Sequence, residues 1–344
     1  MSKIRLALLG CGGIMNKHAG QAEQLAHDLE IVGLCDVDES NMDRLIERSL
    51  GWMDASPRKF TDRRAMYEQA RPDAVVIATP HTMHHEHAAE AIDHGCDVLI
   101  EKPMVTDLAQ ALDLEQRVKA AGRTLCIAFN TPCTAELYTL RQFVRDQRYG
   151  KLKVVSLNLS QNWYVGTRGK WRQDPALSGG GQMYDSGAHP ISSLIWTVES
   201  DVDQAYAHID RLDTAVDING TATIRFTNGV LASIAITGQG ATGAHGTWIF
   251  EKARVELNPW GAEFMEIFTV PAVKRFRPDR VKYPRMCGTD GQPLSNFIDA
   301  LLGRDEPRTT VRNGVQHSQL MDAIYRSAES GRPERPTAQA PAEL

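Results

Sequence analysis

The chain is expected to fold as a doubly wound parallel α/β sheet followed by an α+β domain built on a large, open, mostly antiparallel sheet. Three observations carry this expectation. Up to about residue 130, short apolar runs alternate with helical stretches, the pattern of a parallel sheet with crossover helices. Beyond about residue 150, strand-length runs follow one another directly, two of them separated by the hairpin dipeptide Asn228-Gly229. A length of 344 residues suits about two domains. The expected division is 1–130 and 131–344, with the C-terminal helices packing back on the first domain.

Taken in order, residues 4–9 form an apolar strand that runs into Gly10-Cys11-Gly12-Gly13-Ile14-Met15. A helix follows to about residue 28, then a second apolar strand, 31–35, that ends in Asp36. Strand, glycine turn, helix, strand and acid is the context in which such a turn binds a dinucleotide. Gly10 allows the tight turn, Gly12 admits close approach of a pyrophosphate, and the helix start offers free N–H groups. The Asp36 carboxylate suits two ribose hydroxyls and repels a 2′-phosphate, so NAD is expected over NADP.

Residues 39–49 read as a helix, 50–61 as an irregular connection and 62–71 as a short helix. The strand 74–78 ends in Thr79-Pro80-His81, and a helix over 84–94 leads to the strand 97–100. That strand ends in Glu101-Lys102-Pro103, which places an ammonium at the carboxyl end of a buried strand, where open parallel sheets bind ligands. Pro103 disfavours helical geometry at Lys102. A helix opened by Asp107 and ended by Gly122 leads to the strand 125–129. In the second half, a helix at 134–146 precedes strands at 152–159, 203–209, 221–227, 230–237, 247–251, 253–258 and 263–269. In 230–237, Val230, Ala232, Ile234 and Ile236 share one face. The opposite face, with Leu231, Ser233, Ala235 and Thr237, is not clearly polar, and a second subunit is expected to cover it. Helical periodicity returns at 294–302 and 315–329, and the Pro- and Ala-rich end from Gly331 is expected to fray.

Composition narrows the function. A net charge of −5 gives no electrostatic footprint for nucleic acid or an anionic membrane. No apolar run is long enough to span a bilayer and no secretion leader is recognisable, so a cytoplasmic protein is expected. The six cysteines, Cys11, Cys35, Cys96, Cys126, Cys133 and Cys287, form no C-x-x-C pair, so a reduced, structural role is expected. Histidines cluster at His81, His84, His85, His87 and His94 without carboxylate or thiolate partners in register, and no metal site is expected. His81 and His84 are expected to line the cofactor side of the strand ends, and the other three to form a solvated helix face.

The second half carries its own chemistry in Gly179-Gly180-Gly181-Gln182-Met183-Tyr184-Asp185-Ser186-Gly187-Ala188-His189. Three successive glycines suggest close backbone approach to a ligand. Asp185 and His189 are four apart and share a face on a helix, so the carboxylate could fix the imidazole tautomer for proton transfer. Pro190 is expected to kink or end that helix. Just upstream, Trp163, Tyr164, Arg168, Trp171 and Arg172 offer aromatic faces and cations suited to a sugar or an anionic group.

These segments resemble the Gfo/Idh/MocA oxidoreductases, named for glucose-fructose oxidoreductase and inositol dehydrogenase. The carriers are the glycine turn at 10–15, Ala78-Thr79-Pro80 with His84, Glu101-Lys102-Pro103 (the family's E-K-P), and Gly180-Gly181 with Asp185, Gly187 and His189. The likeness covers nearly the whole chain. It implies a Rossmann domain and an open-faced sheet used to form a homodimer or homotetramer. It also implies NAD(P)-linked hydride transfer at a hydroxyl or keto carbon of a sugar, cyclic polyol or sugar derivative. By that likeness, Gly10, Gly12, Gly13, Ile14, Asp36, Thr79, Pro80, His84, Glu101 and Lys102 hold the cofactor. Lys102 orients the reacting hydroxyl, His189 exchanges the proton, and Asp185 orients the imidazole or touches substrate. Asn130, Trp163, Arg168, Trp171 and Arg172 complete the substrate side. The sequence departs from the family at Met15, where a small residue is usual, and at 129–133, where Pro132 and Cys133 replace an Arg-Phe pair. A sugar- or NAD-sensing protein without turnover and an NAD-dependent glycoside hydrolase are the rival readings.

Overall fold

The apolar run Ile4–Leu9 becomes strand β1, its last four residues buried. In this computed structural model, residues 3–261, 265–269, 279–281 and 291–337 are described. The chain divides into two compact units. One comprises Met1–Val105, Ala109–Phe129 and Cys287–Arg312, the other Thr106–Leu108, Asn130–Met286 and Asn313–Leu344.

In the first unit, β1 is followed by α1 (Met15–Gln24), β2 (Leu29–Cys35), α2 (Glu39–Ser49), β3 (Arg58–Phe60) and α3 (Arg63–Ala70). Then come β4 (Ala74–Ile77), α4 (His84–Asp93), β5 (Asp97–Ile100), α5 (Leu108–Ala121) and β6 (Leu125–Ile127). The sheet runs β3-β2-β1-β4-β5-β6, with every pairing parallel. The edge strand β3 lies inside the stretch expected to be irregular; its three residues pair with Gly33–Cys35, a partner no local pattern reveals. The helices begin where short acids can cap them. Asp38 accepts from the Ser40 N–H and Asp62 from the Arg64 N–H. Strand order reverses between β1 and β4, which makes the carboxyl ends of those two strands the crevice where such sheets take their ligands.

The second unit holds α6 (Ala135–Arg145), β7 (Leu152–Ser160), the single turns α7 (Trp163–Gly166) and α8 (Pro175–Ser178), and α9 (Ala188–Val198). Strands β8 (Val202–Asp210), β9 (Asn219–Phe226), β10 (Leu231–Thr237), β11 (Gly243–Phe250), β12 (Ala253–Leu257), β13 (Met265–Thr269) and β14 (Asp279–Val281) follow. They form one sheet in the order β14-β13-β12-β11-β7-β10-β9-β8. Only β7 and β10 pair in parallel; the other pairs are antiparallel. On one face, Ala232, Ile234 and Ile236 of β10 share a core with Leu137, Leu140, Ile191 and Leu194 of α6 and α9. The opposite face leaves Leu231 50% and Ile249 39% exposed, as the alternation along β10 requires.

Of the two last helices, α10 (Pro293–Leu301) belongs to the first unit, with Leu294, Phe297 and Ile298 in its core. From Asn313 onward, α11 (Val311–Ser330) belongs to the second, where Leu320, Met321 and Ile324 join the core beneath the sheet. The expected fraying at Gly331 does not hold for the described part of that tail. Glu334 bridges to Ala205 and binds Arg326, and Arg335 binds Asp203. Residues 338–344 and Cys287 lie outside the described residues.

Candidate functional site

The glycine turn between β1 and α1 is shaped by two different demands. Gly10 has φ +85°, and a Cβ there would sit 2.7 Å from the Ala78 carbonyl oxygen and 2.9 Å from the Thr79 nitrogen. No other residue fits between the ends of β1 and β4. Above Gly12 and Gly13 there is instead open space, with nothing within 4 Å of an added Cβ. Beside them begins α1, whose cap residue Ile14 is 43% exposed and makes no side-chain cap. The Met15 and Lys17 N–H groups bond back to the Gly12 and Ile14 carbonyls, and the open backbone at Gly12 and Gly13 is what fits a pyrophosphate. Met15, the departure from the usual small residue, is fully buried in the unit's core and leaves the turn intact.

Asp36, just past β2, ties the neighbouring strand end to this turn. Its carboxylate accepts from the Cys11 N–H (2.7 Å), the Asp38 N–H (2.9 Å) and Asn41 Nδ2 (3.1 Å). Of about four acceptor positions on a carboxylate, three are used, which fixes the group beside the turn. These residues fit a dinucleotide: an open glycine turn for phosphate and a fixed acceptor for ribose.

Lys102 follows β5 and is joined to Pro103 by a cis peptide bond. Its neighbour Glu101 does not face outward as a cofactor ligand should. The Glu101 carboxylate is 2.8 Å from His18 Nε2 of α1 and accepts the Lys102 N–H at 3.2 Å. Burial pushes the Glu101 carboxyl up, but the hydrogen bond and charge of His18, with those of Lys102, bring it down to about 2. His18 was not singled out from the sequence. The available signal was its place on the apolar stripe of α1, with Met15, Ala19 and Ala22, where a titratable residue needs a partner.

His84 also departs from expectation. It has no exposed surface, and its ring spans two carbonyls, Nδ1 to Pro103 O at 2.8 Å and Nε2 to Thr79 O at 2.9 Å. Burial pushes its pKa down. It therefore packs between the end of β4 and the Lys102–Pro103 segment, where the neutral ring donates to one of the two carbonyls, instead of lining a cleft. His87, expected on a solvated face, is buried between Arg63 and Thr79. His85 pairs with Asp113 at 2.7 Å, and the exposed His94 stacks on Tyr67.

In the second unit, Asp185 and His189 do not share a helix. The chain from Gln182 to Gly187 is a run of tight turns, and α9 starts at Ala188. Pro190 therefore falls in the first helical turn, where no backbone donor is needed, and α9 continues past it to Val198. Asp185, 5% exposed, accepts from Trp163 Nε1 at 2.7 Å and Arg172 Nε at 3.0 Å. The His189 ring stacks on Trp260 with centroids 5.5 Å apart, and Asn130 Nδ2 donates to the Trp260 carbonyl at 3.3 Å. Trp260 was missed by the sequence reading. Arg172 also lies over the Trp171 ring at 4.5 Å. Arg168 reaches Asp213, and with Lys170, Trp171 and Asp174 it lines a concavity of about 500 Å³.

The three glycines at 179–181 serve packing, contrary to the expectation of a ligand contact. Gly179 has φ +70°, and a Cβ on it would meet the Thr106 side chain. One on Gly180 would meet Tyr184 and Tyr325, and one on Gly181 would fall on the Asp217 carbonyl oxygen. Asp217, 1% exposed, clamps this turn. Its carboxylate accepts the Gly181 and Met183 N–H groups at 2.7 Å each and the Tyr325 hydroxyl, and its carbonyl accepts the Gln182 N–H at 2.9 Å.

Cys11, Cys35, Cys96, Cys126 and Cys133 are buried thiols that form no disulfide among the described residues. Burial with neighbouring negative charge pushes the Cys11 and Cys96 thiols up to about 12 and Cys35 to about 11, so none is a nucleophile at neutral pH. Among the described residues no three His, Cys, Asp or Glu side chains gather as a metal-binding group, and no helix is long and apolar enough to cross a membrane.

A parallel sheet with an open glycine turn at its switch point and an acid past the second strand defines a dinucleotide-binding domain. Residues 4–129 match the oxidoreductase family with an NAD-binding Rossmann fold, and residues 137–255 match the GFO/IDH/MocA C-terminal domain. The chain belongs to the Gfo/Idh/MocA oxidoreductases and is an NAD(P)-dependent enzyme of that family. It is 24% identical to the D-glucoside 3-dehydrogenase of Escherichia coli K12, over 96% of this chain and 97% of that one. Among solved structures it is similar to the WlbA dehydrogenase of Bordetella pertussis in complex with NADH and UDP-GlcNAcA. That match has 25% identity and a TM-score of 0.81, covering 98% of this chain and 100% of the other. A levoglucosan dehydrogenase in complex with NADH and levoglucosan shares the fold at 17% identity, with a TM-score of 0.87 over 98% and 100% of the two chains.

Proposed function

We propose that this enzyme uses NAD(H) to interconvert a secondary hydroxyl and a ketone on a sugar, cyclic polyol or sugar derivative. The observation that carries the reading is the Asp36 carboxylate fixed beside an open glycine turn, an arrangement suited to ribose hydroxyls and unsuited to a 2′-phosphate. Full-length similarity to a glucoside dehydrogenase supports the substrate class. A nicotinamide dinucleotide held at Gly12, Gly13 and Asp36 would supply the hydride-transfer chemistry. Lys102 hydrogen-bonds the reacting oxygen, and His189 takes the hydroxyl proton during oxidation and returns it during reduction. Asp185 contacts substrate and holds Arg172 and Trp163 in place for sugar hydroxyls or a carboxylate. The enzyme works in the cytoplasm as a homodimer or homotetramer formed through the sheet face that carries Leu231 and Ile249, a reading supported by their exposure.

The test is the purified enzyme with NAD and then NADP, against glucosides, inositols and nucleotide-linked sugar acids, followed at the nicotinamide absorbance. One compound class reduced with NAD is expected, and Lys102→Met and His189→Ala should bind NADH yet lose turnover by roughly a hundredfold or more. A preference for NADP would overturn the Asp36 assignment. Free sugar released without net NADH would overturn the dehydrogenase reading in favour of glycoside cleavage. Light scattering showing a monomer would remove the oligomer.

A further inference from the structure

His87, which sequence reasoning left on a solvated face, is held between a guanidinium and a hydroxyl. Arg63, the first residue of α3, reaches across to α4, where its guanidinium binds Glu86 and Glu90 and sets Nη1 3.1 Å from His87 Nε2. On the other side of the ring, His87 Nδ1 lies 2.9 Å from the Thr79 hydroxyl oxygen. A guanidinium only donates, so Nε2 must carry the lone pair. In the neutral ring the proton is then on Nδ1, and Nδ1 donates to Thr79. Burial and the charge of Arg63 hold the His87 pKa down at about 4, so the ring is neutral at physiological pH. The Thr79 oxygen therefore receives a hydrogen bond, and its own hydrogen is left to point away from His87.

Thr79 stands where that hydrogen matters. It follows β4 at the switch point, its nitrogen within 2.9 Å of the position a Gly10 Cβ would occupy, and its side is partly open to solvent. Its carbonyl oxygen lies 2.9 Å from His84 Nε2.

We propose that Arg63 and His87 form a positioning relay that presets the Thr79 hydroxyl as a hydrogen-bond donor to an acceptor oxygen of the bound dinucleotide. The inference rests on the reading that a nicotinamide dinucleotide occupies the glycine turn. Without Arg63 the imidazole can take either tautomer, and Thr79 can turn its hydrogen toward the ring. The relay removes that choice before the cofactor arrives, which is preorganisation of a single donor.

Calorimetric titration with NADH tests it without any substrate. The wild-type titration comes first, and absence of binding there would remove the cofactor reading itself, separately from the relay. Thr79→Val is expected to weaken NADH about tenfold, the scale of one hydrogen bond to a polar or charged oxygen. His87→Leu should weaken it by a similar factor, and the double variant should be no weaker than Thr79→Val alone. His87→Asn, which keeps a donor toward Thr79, should stay within about threefold of wild type. Wild-type affinity in His87→Leu, or losses that multiply in the double variant, would overturn the relay and leave His87 a packing residue. Thermal melts check that each variant is folded. If His87→Leu does not fold, Arg63→Met carries the test: its loss of affinity should vanish in the Thr79→Val background, and a loss that persists there would overturn the proposal.

Discussion

Two glycine-rich turns, one in each unit, look alike on paper and differ in what their missing side chains are for. At 10–13 the first glycine fits its turn between strand ends, and the next two leave empty space. At 179–181 all three are filled by the protein itself, by Thr106, by Tyr184 with Tyr325, and by the Asp217 backbone. The absence of a Cβ signals close approach but not the identity of what approaches. An open glycine turn invites a ligand, whereas a packed one fixes a loop, here the loop that carries Asp185 toward the start of α9.

Alanine scanning separates the two. Gly181→Ala should have the largest effect, because its Cβ would overlap a backbone oxygen that four hydrogen bonds hold around Asp217. A loss of about 3 kcal/mol or more is expected in thermal or denaturant unfolding, or failure to fold. Gly13→Ala should leave stability within about 0.5 kcal/mol while weakening NADH binding, since its Cβ enters the space a pyrophosphate needs. If Gly181→Ala melts like wild type, the packed reading of the second turn fails. If Gly13→Ala binds NADH normally, the open reading of the first turn fails.

Asp217→Ala comes next. It strands the Gly181 and Met183 N–H groups and the Tyr325 hydroxyl in a buried site. At about 1–3 kcal/mol for an unsatisfied buried donor, partly relaxed by entering water, a loss of about 2–4 kcal/mol is expected in chemical denaturation. Tyr325→Phe, which removes one of those partners, should cost less, about 1 kcal/mol.

The contrast also explains which parts could be read in the sequence. Strands β1, β2, β4, β5 and β6, the hairpin at Asn228-Gly229 and the buried face of β10 follow from local pattern, and the structure places them within a few residues. The short edge strand β3 and the start of α9 do not, since each depends on a partner distant in sequence. At the candidate site, residue types were legible but directions were not. Glu101 and His84 stand in a recognisable order, yet one turns to His18 and the other into the sheet's end. Burial of a polar side chain is decided by the neighbour that satisfies it, and His18 and Trp260 come from segments far along the chain. Period and spacing carry no information about such pairs.

A pH-dependent effect sharpens the comparison from the first unit's side. There the rim of the turn is held by a side-chain pair, His18 with Glu101, in place of a backbone clamp like that at Asp217. The Glu101 carboxyl ordinarily titrates near 4.5 and is held at about 2 in the folded chain. A depressed folded pKa means that the unfolded chain binds more protons in that window. The pair's contribution is therefore complete above about pH 4.5 and is lost as pH falls toward about 2. Glu101→Gln should remove this dependence, so that the variant's unfolding midpoint falls less steeply with acid between those limits while changing by about 1–2 kcal/mol at neutral pH. Parallel acid titrations of wild type and Glu101→Gln that stay superimposable in slope would show that His18 does not hold the carboxylate. The rim beside Lys102 would then be fixed, like the second turn, by packing alone.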